Sequence, residues 1–182
     1  GDVLEFLSDL VDTARADAER TLLADGNGRA CAKFLSDFQD ELIRLIFDYT
    51  VAHVYRRSSP SNPERIGVVA TGGYGRALLA QGSDIDLLFL LPSRQTPWGE
   101  SVVEYILYVL WDLKFKVGHA TRSVEQCIKW AQADMTIRTA LLDARLIFGD
   151  EALYSELTAR FQKSVIQGSE TAFIDAKLAE RD

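Results

Sequence analysis

Residues 66–91 read IGVVATGGYGRALLAQGSDIDLLFLL, and this stretch decides the fold. One apolar run ends in a glycine-rich segment at Gly72, and a second apolar run follows ten residues later. Glycine clusters interrupt regular structure, whereas short apolar runs indicate buried strands. The order therefore predicts a strand, a glycine turn, a short helix over residues 77–80 and a second strand over residues 84–91.

Asp84 and Asp86 stand at the start of the second predicted strand. Residues two apart on a strand project from the same face, so we expect the two carboxylates to lie side by side. By the same rule Ile85 and Leu87 point into the core. Mg²⁺ prefers oxygen ligands and commonly links protein carboxylates to nucleotide phosphates. The acidic pair therefore predicts a divalent metal site.

Gly72 and Gly73 precede these acids in the predicted turn. Glycines let the backbone approach a phosphate closely, and the start of a following helix attracts anions. Alone, a glycine pair is more often a simple turn, and Asp-x-Asp is often a solvated strand end. Their combination at this spacing favours phosphoryl or nucleotidyl transfer. A P-loop would need Gly-Lys-Ser/Thr, and Leu78 replaces the third glycine of a dinucleotide-binding turn.

The composition predicts one folded domain, or one domain with an appendage. The chain has 182 residues, of which 47% are apolar, enough for a buried core. No apolar run approaches the roughly 18 residues of a membrane span, and no signal pattern opens the sequence, so we expect a cytoplasmic protein without membrane contact. The net charge of −7 disfavours nucleic-acid binding, although a divalent metal can still mediate contact with a nucleotide.

Helical periodicity and breaker residues place the remaining elements. The predicted helices cover residues 1–25, about 29–49, 98–113, from 123 onward, 134–147 and 150–161, with a helical composition after residue 169. A third strand is predicted over residues 115–121, and loops over residues 58–63 and 92–97. Two helix starts carry capping signals, Thr96 followed by Pro97, and Ser123 with Gln126 as a capping box.

The motif Gly72-Gly73, ten residues, then Asp84-Ile85-Asp86-Leu87 resembles the signature of the DNA-polymerase-β-like nucleotidyltransferase superfamily. A wider set of segments is similar to the N-terminal part of the bacterial P-II protein uridylyltransferase/uridylyl-removing family. These segments are residues 69–76, 83–92, 110–113, 116–122, 139–145 and 176–181. The similarity thus extends over nearly the whole chain.

This resemblance implies an α+β fold with the small mixed β-sheet of the polymerase-β-like nucleotidyltransferases. We expect N-terminal helices over residues 1–59, the nucleotidyltransferase core over residues 60–125, and a helical segment over residues 126–182 that packs on or follows the core. Members of the family are much longer and continue into HD and ACT domains. The sequence is therefore interpreted as a fragment of a longer enzyme.

The activity implied by the resemblance is Mg²⁺-dependent transfer of UMP from UTP to a tyrosine of the P-II nitrogen-regulatory protein, with release of pyrophosphate. Mn²⁺ is the expected substitute for Mg²⁺. In this interpretation Asp84 and Asp86 hold the metals and are the catalytic pair. The nucleotide-binding residues would be Gly72, Gly73, Ser83 and Arg76, of which Arg76 could equally be an exposed arginine at a helix start.

One departure from the superfamily concerns a third carboxylate, which a later strand often supplies. The matching segment, residues 116–122, contains no acid. His119 stands near that place, although a lone histidine is more often simply hydrogen-bonded. Asp143 is an alternative acid, although its surroundings predict a helix.

Two other functions stay open at this point. Another nucleotidyltransferase of the same superfamily, such as an adenylyltransferase of proteins or antibiotics, would share the glycine and aspartate motif. A non-catalytic nucleotide-sensing domain of the same fold is the second alternative. The intact acidic pair argues against a sensor, and the missing third acid argues for one.

Overall fold

The computed structural model describes residues 2–56, 65–93, 95–167 and 177–179. Its first elements are α1 (Asp2–Asp25), α2 (Gly28–Tyr49), a π-helical turn (Thr50–Val54), β1 (Gly67–Ala70), α3 (Gly72–Gly75) and β2 (Ile85–Leu90). They are followed by α4 (Pro97–Asp112), β3 (Val117–Arg122), α5 (Val124–Ala133), α6 (Met135–Leu142), β4 (Arg145–Gly149), α7 (Glu151–Phe161) and a π-helical turn (Gln162–Ile166).

The four strands of the described residues form one mixed sheet in the order β3, β2, β1, β4. β1 is antiparallel to both β2 and β4, whereas β2 and β3 run parallel. A bulge between Val68 and Val69 shifts the register of the β1–β4 pair. This small mixed sheet, with helices packed on it, confirms the predicted α+β class.

The sheet buries both of its faces. Ile85, Leu87 and Phe89 of β2 pack into a core with α1, α2 and α4. Leu88 and Leu90 point the other way, into a second core with α5 and α7. Because side chains alternate along a strand, Asp86 belongs to the face that carries Leu88, at the end of β2 where the strand begins.

Local capping signals set several helix ends as predicted. The Thr96 hydroxyl accepts a hydrogen bond from the Gly99 amide at 3.1 Å, with Pro97 in the first turn of α4. Ser123 and Gln126 form the reciprocal capping box at the start of α5. Such caps satisfy backbone amides that have no partner inside the helix.

The short helix of the glycine region lies earlier than predicted. Residues 77–80 are not helical, and the helix is α3, which is the glycine turn itself. Ala77 has a φ of 60°, a left-handed conformation that interrupts a helix. The chain is then held against α2, because the Leu79 amide donates to the Ala32 carbonyl at 3.0 Å. The prediction of a helix over residues 77–80 is therefore wrong.

The predicted helix over residues 134–147 also ends early, at Leu142, and residues 145–149 form β4. β4 pairs antiparallel with β1 on the side that β2 leaves free. Pairing and burial against a central strand here outweigh the local helical pattern. The sheet thus takes a strand from the part of the chain after residue 125, which was expected to be helical.

Two predicted segments lie outside the described residues. These are the loop over residues 58–63 and the tail after residue 169, apart from residues 177–179, which are helical. The division of the chain at residues 59 and 125 stays a prediction. None of the helices in the described ranges combines the length and the hydropathy that crossing a membrane requires.

Candidate active site

The carboxylate of Asp86 lies between two glycines. A Cβ atom added to Gly72 would lie 3.0 Å from Asp86 Oδ2, and one added to Gly118 would lie 2.5 Å from Asp86 Oδ1. Gly72 belongs to α3 and has a φ of +57°, while Gly118 is the β3 residue aligned with Asp86. A side chain at either position would push the carboxylate aside, and the positive φ of Gly72 favours glycine as well.

Asp84 precedes β2 and is exposed. Burial raises the pKa of Asp86, and the negative charge of Asp84 raises it further. The two carboxylates are thus close enough to repel, as expected for side chains two apart on one strand face. No described residue forms an ion pair with either one. A cation placed between them would relieve the repulsion.

The glycines of α3 differ in what surrounds them. A Cβ at Gly75 would lie 2.0 Å from the Asp143 carbonyl oxygen, so the backbone around Asp143 passes directly over this position. A Cβ at Gly73 would meet only Arg76 Nη2, at 3.6 Å, an ordinary contact. Gly75 is therefore required by packing, whereas Gly73 leaves space in front of the turn.

Arg76 and Asp143 form an ion pair beside the glycine turn, with 2.8 Å between Nη1 and Oδ2. Asp143 lies at the C-cap of α6 instead of inside a helix. The structure thus brings Asp143 to the glycine turn, but its carboxylate is engaged with Arg76. The Arg76 side chain remains 60% exposed, so its other guanidinium nitrogen can still reach a ligand.

His119 does not join the acids. It aligns with Leu87, whose side chain enters the core on the face opposite Asp86. Its ring packs edge-on against Trp111 of α4, with 5.8 Å between the ring centroids. Across the described residues, no group of three or more acidic, histidine or cysteine side chains could hold a metal ion. The position beside Asp86 on β3 is Gly118, which the sequence argument overlooked.

Ser83 lies in the turn before Asp84 and is exposed. Its amide donates to the Ala80 carbonyl at 3.1 Å, which closes the turn. Ser83 lines a cavity together with Ile85, whereas Asp86 does not line that cavity. Ser83 is thus adjacent to the acids in sequence but faces a different space.

A polar network behind the glycine turn was not predicted from the sequence. Tyr74 is fully buried, and its hydroxyl donates to Asp40 Oδ1 of α2 at 2.5 Å. Arg145 of β4 binds the same carboxylate through both terminal nitrogens, at 2.6 and 3.2 Å, and also donates to the Tyr74 carbonyl at 3.2 Å. The network therefore fastens α3 to α2 and β4 together.

The interactions within this network keep Arg145 and Tyr74 each in one protonation state. Burial lowers the pKa of Arg145, but the hydrogen bond and the charge of Asp40 outweigh that effect and raise it overall. Burial raises the pKa of Tyr74, and Asp40 adds to the rise. Arg145 is therefore a permanent cation and Tyr74 a neutral donor. The residues are 34 and 105 positions from Asp40, so no local spacing signals the network.

A larger cavity, of about 640 Å³, lies elsewhere, between α1, α2 and α4. Apolar and aromatic side chains such as Phe6, Tyr49 and Tyr105 line it. None of the predicted site residues does. The larger cavity therefore lies apart from the predicted site.

Residues 56–147 match the family described as "Nucleotidyltransferase domain". These 92 residues (147 − 56 + 1) are just over half of the 182-residue chain, and they include both the glycine turn and the acidic pair. The chain therefore belongs to the nucleotidyltransferase domain family. Domains of this family generally use divalent metal ions, which agrees with Asp84 and Asp86, two neighbouring carboxylates that form no ion pair within the described residues.

Several curated relatives are similar over most of the chain. A "Bifunctional uridylyltransferase/uridylyl-removing enzyme" of Rhodopseudomonas palustris is 58% identical over 169 residues, covering 93% of this chain and 18% of the relative. The protein of the same name from Bradyrhizobium diazoefficiens is 57% identical with the same coverage, and that of a Bradyrhizobium species is 54% identical over 99% of this chain and 19% of the relative. The chain thus spans about a fifth of the length of these relatives.

Among solved structures, one titled "Crystal structure of the toxin-antitoxin with AMP-PNP" is similar at a TM-score of 0.41 and 13% identity. The alignment covers 75% of this chain and 98% of the matched chain in that structure. A similarity of this size carries no inference about function.

Proposed function

We propose that this domain transfers UMP from UTP to a tyrosine hydroxyl of a P-II nitrogen-regulatory protein and releases pyrophosphate. The observation that carries the proposal is the Asp86 carboxylate, which lies between Gly72 and Gly118 without an ion-pair partner among the described residues. Relatives that share 54–58% identity with the chain are named uridylyltransferases, which supports UMP as the transferred group.

Asp84 and Asp86 fit a divalent cation. Their oxygens are hard ligands, and their mutual repulsion favours a positive charge between them. Mg²⁺ is the proposed ion, with Mn²⁺ as a substitute. Mg²⁺ usually keeps several waters and takes further ligands from substrate phosphates. Two carboxylates can therefore hold it without a third protein acid.

In this proposal the glycine turn receives the triphosphate. Gly73 leaves open space in front of α3, and Arg76 lies beside it with an exposed guanidinium. Backbone amides of such turns offer partial positive charge to phosphate oxygens. The metal ions, when bound, supply positive charge for the attacking and leaving oxygens. The network behind Tyr74 keeps the turn in position.

In the proposed reaction the tyrosine oxygen forms a bond to the α-phosphorus of UTP. The bond from that phosphorus to the oxygen bridging to the β-phosphate breaks, and pyrophosphate leaves with both electrons of that bond. The hydroxyl proton passes to solvent. A protein acceptor agrees with the net charge of −7, which disfavours a nucleic acid as partner.

A non-catalytic nucleotide-sensing domain is the second candidate. It is favoured by the lack of a third carboxylate near Asp86 in the described part of the chain. Adenylyl transfer by the same site differs from the first proposal only in the base of the nucleotide. One assay distinguishes both alternatives from UMP transfer.

The assay incubates the protein with P-II protein, Mg²⁺ and each of the four nucleoside triphosphates labelled at the α-phosphate. We expect label on P-II protein from UTP only, and none when Asp86→Asn is used. Asp48→Asn, which removes an equal charge from an exposed position on α2, serves as the control and should keep full transfer. Label from ATP instead would indicate adenylyl transfer, and nucleotide binding without any labelling would indicate a sensor.

A further inference from the structure

A small cavity whose lining includes three basic residues lies on the other side of β2 from Asp86. Arg15 of α1 and two lysines of the α4–β3 connection, Lys114 and Lys116, line it. No acidic residue of the described chain does. This is unlike the protein as a whole, which has 27 acidic and 20 basic residues. Ile85 forms part of the wall, so β2 separates this cavity from Asp86.

The three cations have no carboxylate partner. Within the described residues none of them forms an ion pair. The Arg15 guanidinium lies over the ring of Phe115, 5.0 Å from its centroid, and this contact orients it at the cavity. Like charges gathered without a counter-charge attract an anion from solution.

Two uncharged polar residues, Gln39 and Ser83, also line this space. Gln39 lines the cavity, is only 3% exposed, and its side-chain nitrogen has no hydrogen-bond partner in the described structure. A buried amide without a partner destabilises the fold, so such a group usually pairs with a ligand or water. The side chain of Ser83 likewise makes no hydrogen bond to a described residue. A bound oxyanion would give the Ser83 hydroxyl a partner, and would give one to the buried Gln39 nitrogen once that amide turns toward the cavity.

The backbone at Lys114 adds a third observation. Its φ is 70°, in the left-handed region where glycine is the least strained residue. It directly follows the C-cap of α4, a position that favours glycine for the same reason. A lysine here therefore costs backbone energy, which a function of its side chain at the cavity would explain.

The cavity has a volume of about 170 Å³. This is room for roughly five water molecules, and less than the roughly 300 Å³ at which pockets for drug-sized ligands begin. The cations, the amide and the hydroxyl suit phosphate oxygens, and apolar side chains such as Leu35 and Phe38 form the rest of the lining. We propose that the cavity binds a small phosphate-type anion, such as inorganic phosphate or pyrophosphate, at a site separate from the acidic pair.

Such a site would act on the turn that carries the acids. Ser83 borders the cavity and precedes Asp84, so an anion held there would fix the turn over residues 80–83. Anion binding at this cavity does not depend on the proposed UMP transfer. It can therefore be tested without P-II protein, and its failure would leave the proposed function unaffected.

The test is a titration with sodium phosphate and with pyrophosphate, at constant ionic strength and without divalent metal, followed by calorimetry and thermal melting. The variants are Lys114→Gly, its combination with Lys116→Met, and Asp86→Asn. We expect Lys114→Gly to melt higher than wild type without anion, because the backbone strain is relieved. We also expect it to bind phosphate at least about fivefold more weakly, since a charged contact is lost.

Asp86→Asn should bind phosphate like the wild type, and so should Lys129→Met, which removes an exposed lysine on α5. Unchanged affinity in the double lysine variant, or no phosphate binding by the wild type, would overturn the proposal. Because no divalent metal is present, an anion at the acidic pair would be repelled by the Asp86 charge, so clearly tighter binding in Asp86→Asn would place the anion there and overturn the proposal equally. If metal-free UTP displaces bound phosphate, the site binds the phosphates of a nucleotide. If UTP does not displace it, the site binds the free anion.

Discussion

Two carboxylates flank the glycine turn α3, and they differ in their partners. Asp40 lies behind the turn and is held by Tyr74 and by both terminal nitrogens of Arg145. Asp86 lies in front of it, between Gly72 and Gly118, and forms no ion pair with a described residue. A carboxylate whose hydrogen bonds are complete stabilises the protein, whereas one that is partly buried without a cation is available to a ligand. We therefore propose that the Asp40 side of the turn stabilises the fold and that the Asp86 side binds the metal and substrate.

The largest effect is expected on the Asp86 side. Asp86→Asn keeps the shape but removes a full charge from the proposed metal site, so UMP transfer should fall by on the order of a thousandfold or more. Folding should survive or improve slightly, because repulsion from Asp84 disappears. Transfer is measured in a longer form of the protein, together with melting with and without Mg²⁺-UTP. Transfer within a few fold of wild type would show that the pair is not the metal site.

Substitution of Asp40 should mainly reduce stability, whereas substitution of Asp86 should mainly reduce transfer. Asp40→Ala leaves Arg145 without its carboxylate and Tyr74 without its acceptor, which should lower the free energy of unfolding by about 2 kcal/mol. The partial exposure of the two side chains, 28% and 21%, keeps the loss below that of a fully buried pair. Urea unfolding measures it.

Asp37→Ala is the matched control for Asp40→Ala. It breaks the exposed pair between Asp37 and Lys33 on the same helix. It should cost about 0.5 kcal/mol or less, since surface pairs contribute little. Equal losses in the two variants would contradict a special role for the Asp40 network.

Two glycines of α3 distinguish the proposed binding role of the turn from its structural role. Gly73→Val adds a side chain on the open side of the turn, where only Arg76 is near. It should weaken triphosphate binding by about tenfold, a loss of roughly 1.4 kcal/mol, with little loss of folding. Gly75→Ala places a Cβ against the Asp143 carbonyl and should instead lower the melting temperature. Unchanged UTP affinity in folded Gly73→Val would mean that the turn is only structural.

The smallest effect concerns pH. Because the pKa of Asp86 is raised above its ordinary 3.8, the unfolded chain loses this proton first. The stabilising contribution of Asp86 is therefore present below pH 3.8 and is lost as the pH rises through the folded pKa. Asp150, whose pKa is lowered first by its hydrogen bond to Arg65, contributes above its ordinary pKa and loses that contribution as the pH falls.

Melting without metal between about pH 3 and pH 7 tests this contrast. The stability of Asp86→Asn relative to wild type should increase as the pH rises. That of Asp150→Asn should decrease over its own window, at lower pH. A pH-independent difference for Asp86→Asn would remove the argument that its carboxylate is strained without a cation.

The parts of the molecule that could be predicted from the sequence rest on short-range signals. Thr96 and Ser123 mark helix starts through hydrogen bonds to residues three positions away. The glycine turn and the acidic pair were likewise found by their spacing. The contacts that were missed are long-range: Gly118 beside Asp86, and Arg145 on Asp40. β4 was interpreted as helix because its pairing with β1 has no local signature.

Residues 143–145 form a strap over the glycine turn. Asp143 holds Arg76, its carbonyl passes over Gly75, and Arg145 donates to the Tyr74 carbonyl. These partners are 67 and 71 residues apart in the chain. Contacts between such distant residues form late in folding, because a long loop must close first. A growing chain that has reached residue 125 thus carries every motif residue and still lacks the segment that shapes the turn, so nucleotide affinity should emerge only after β4 has been synthesised and has docked on β1.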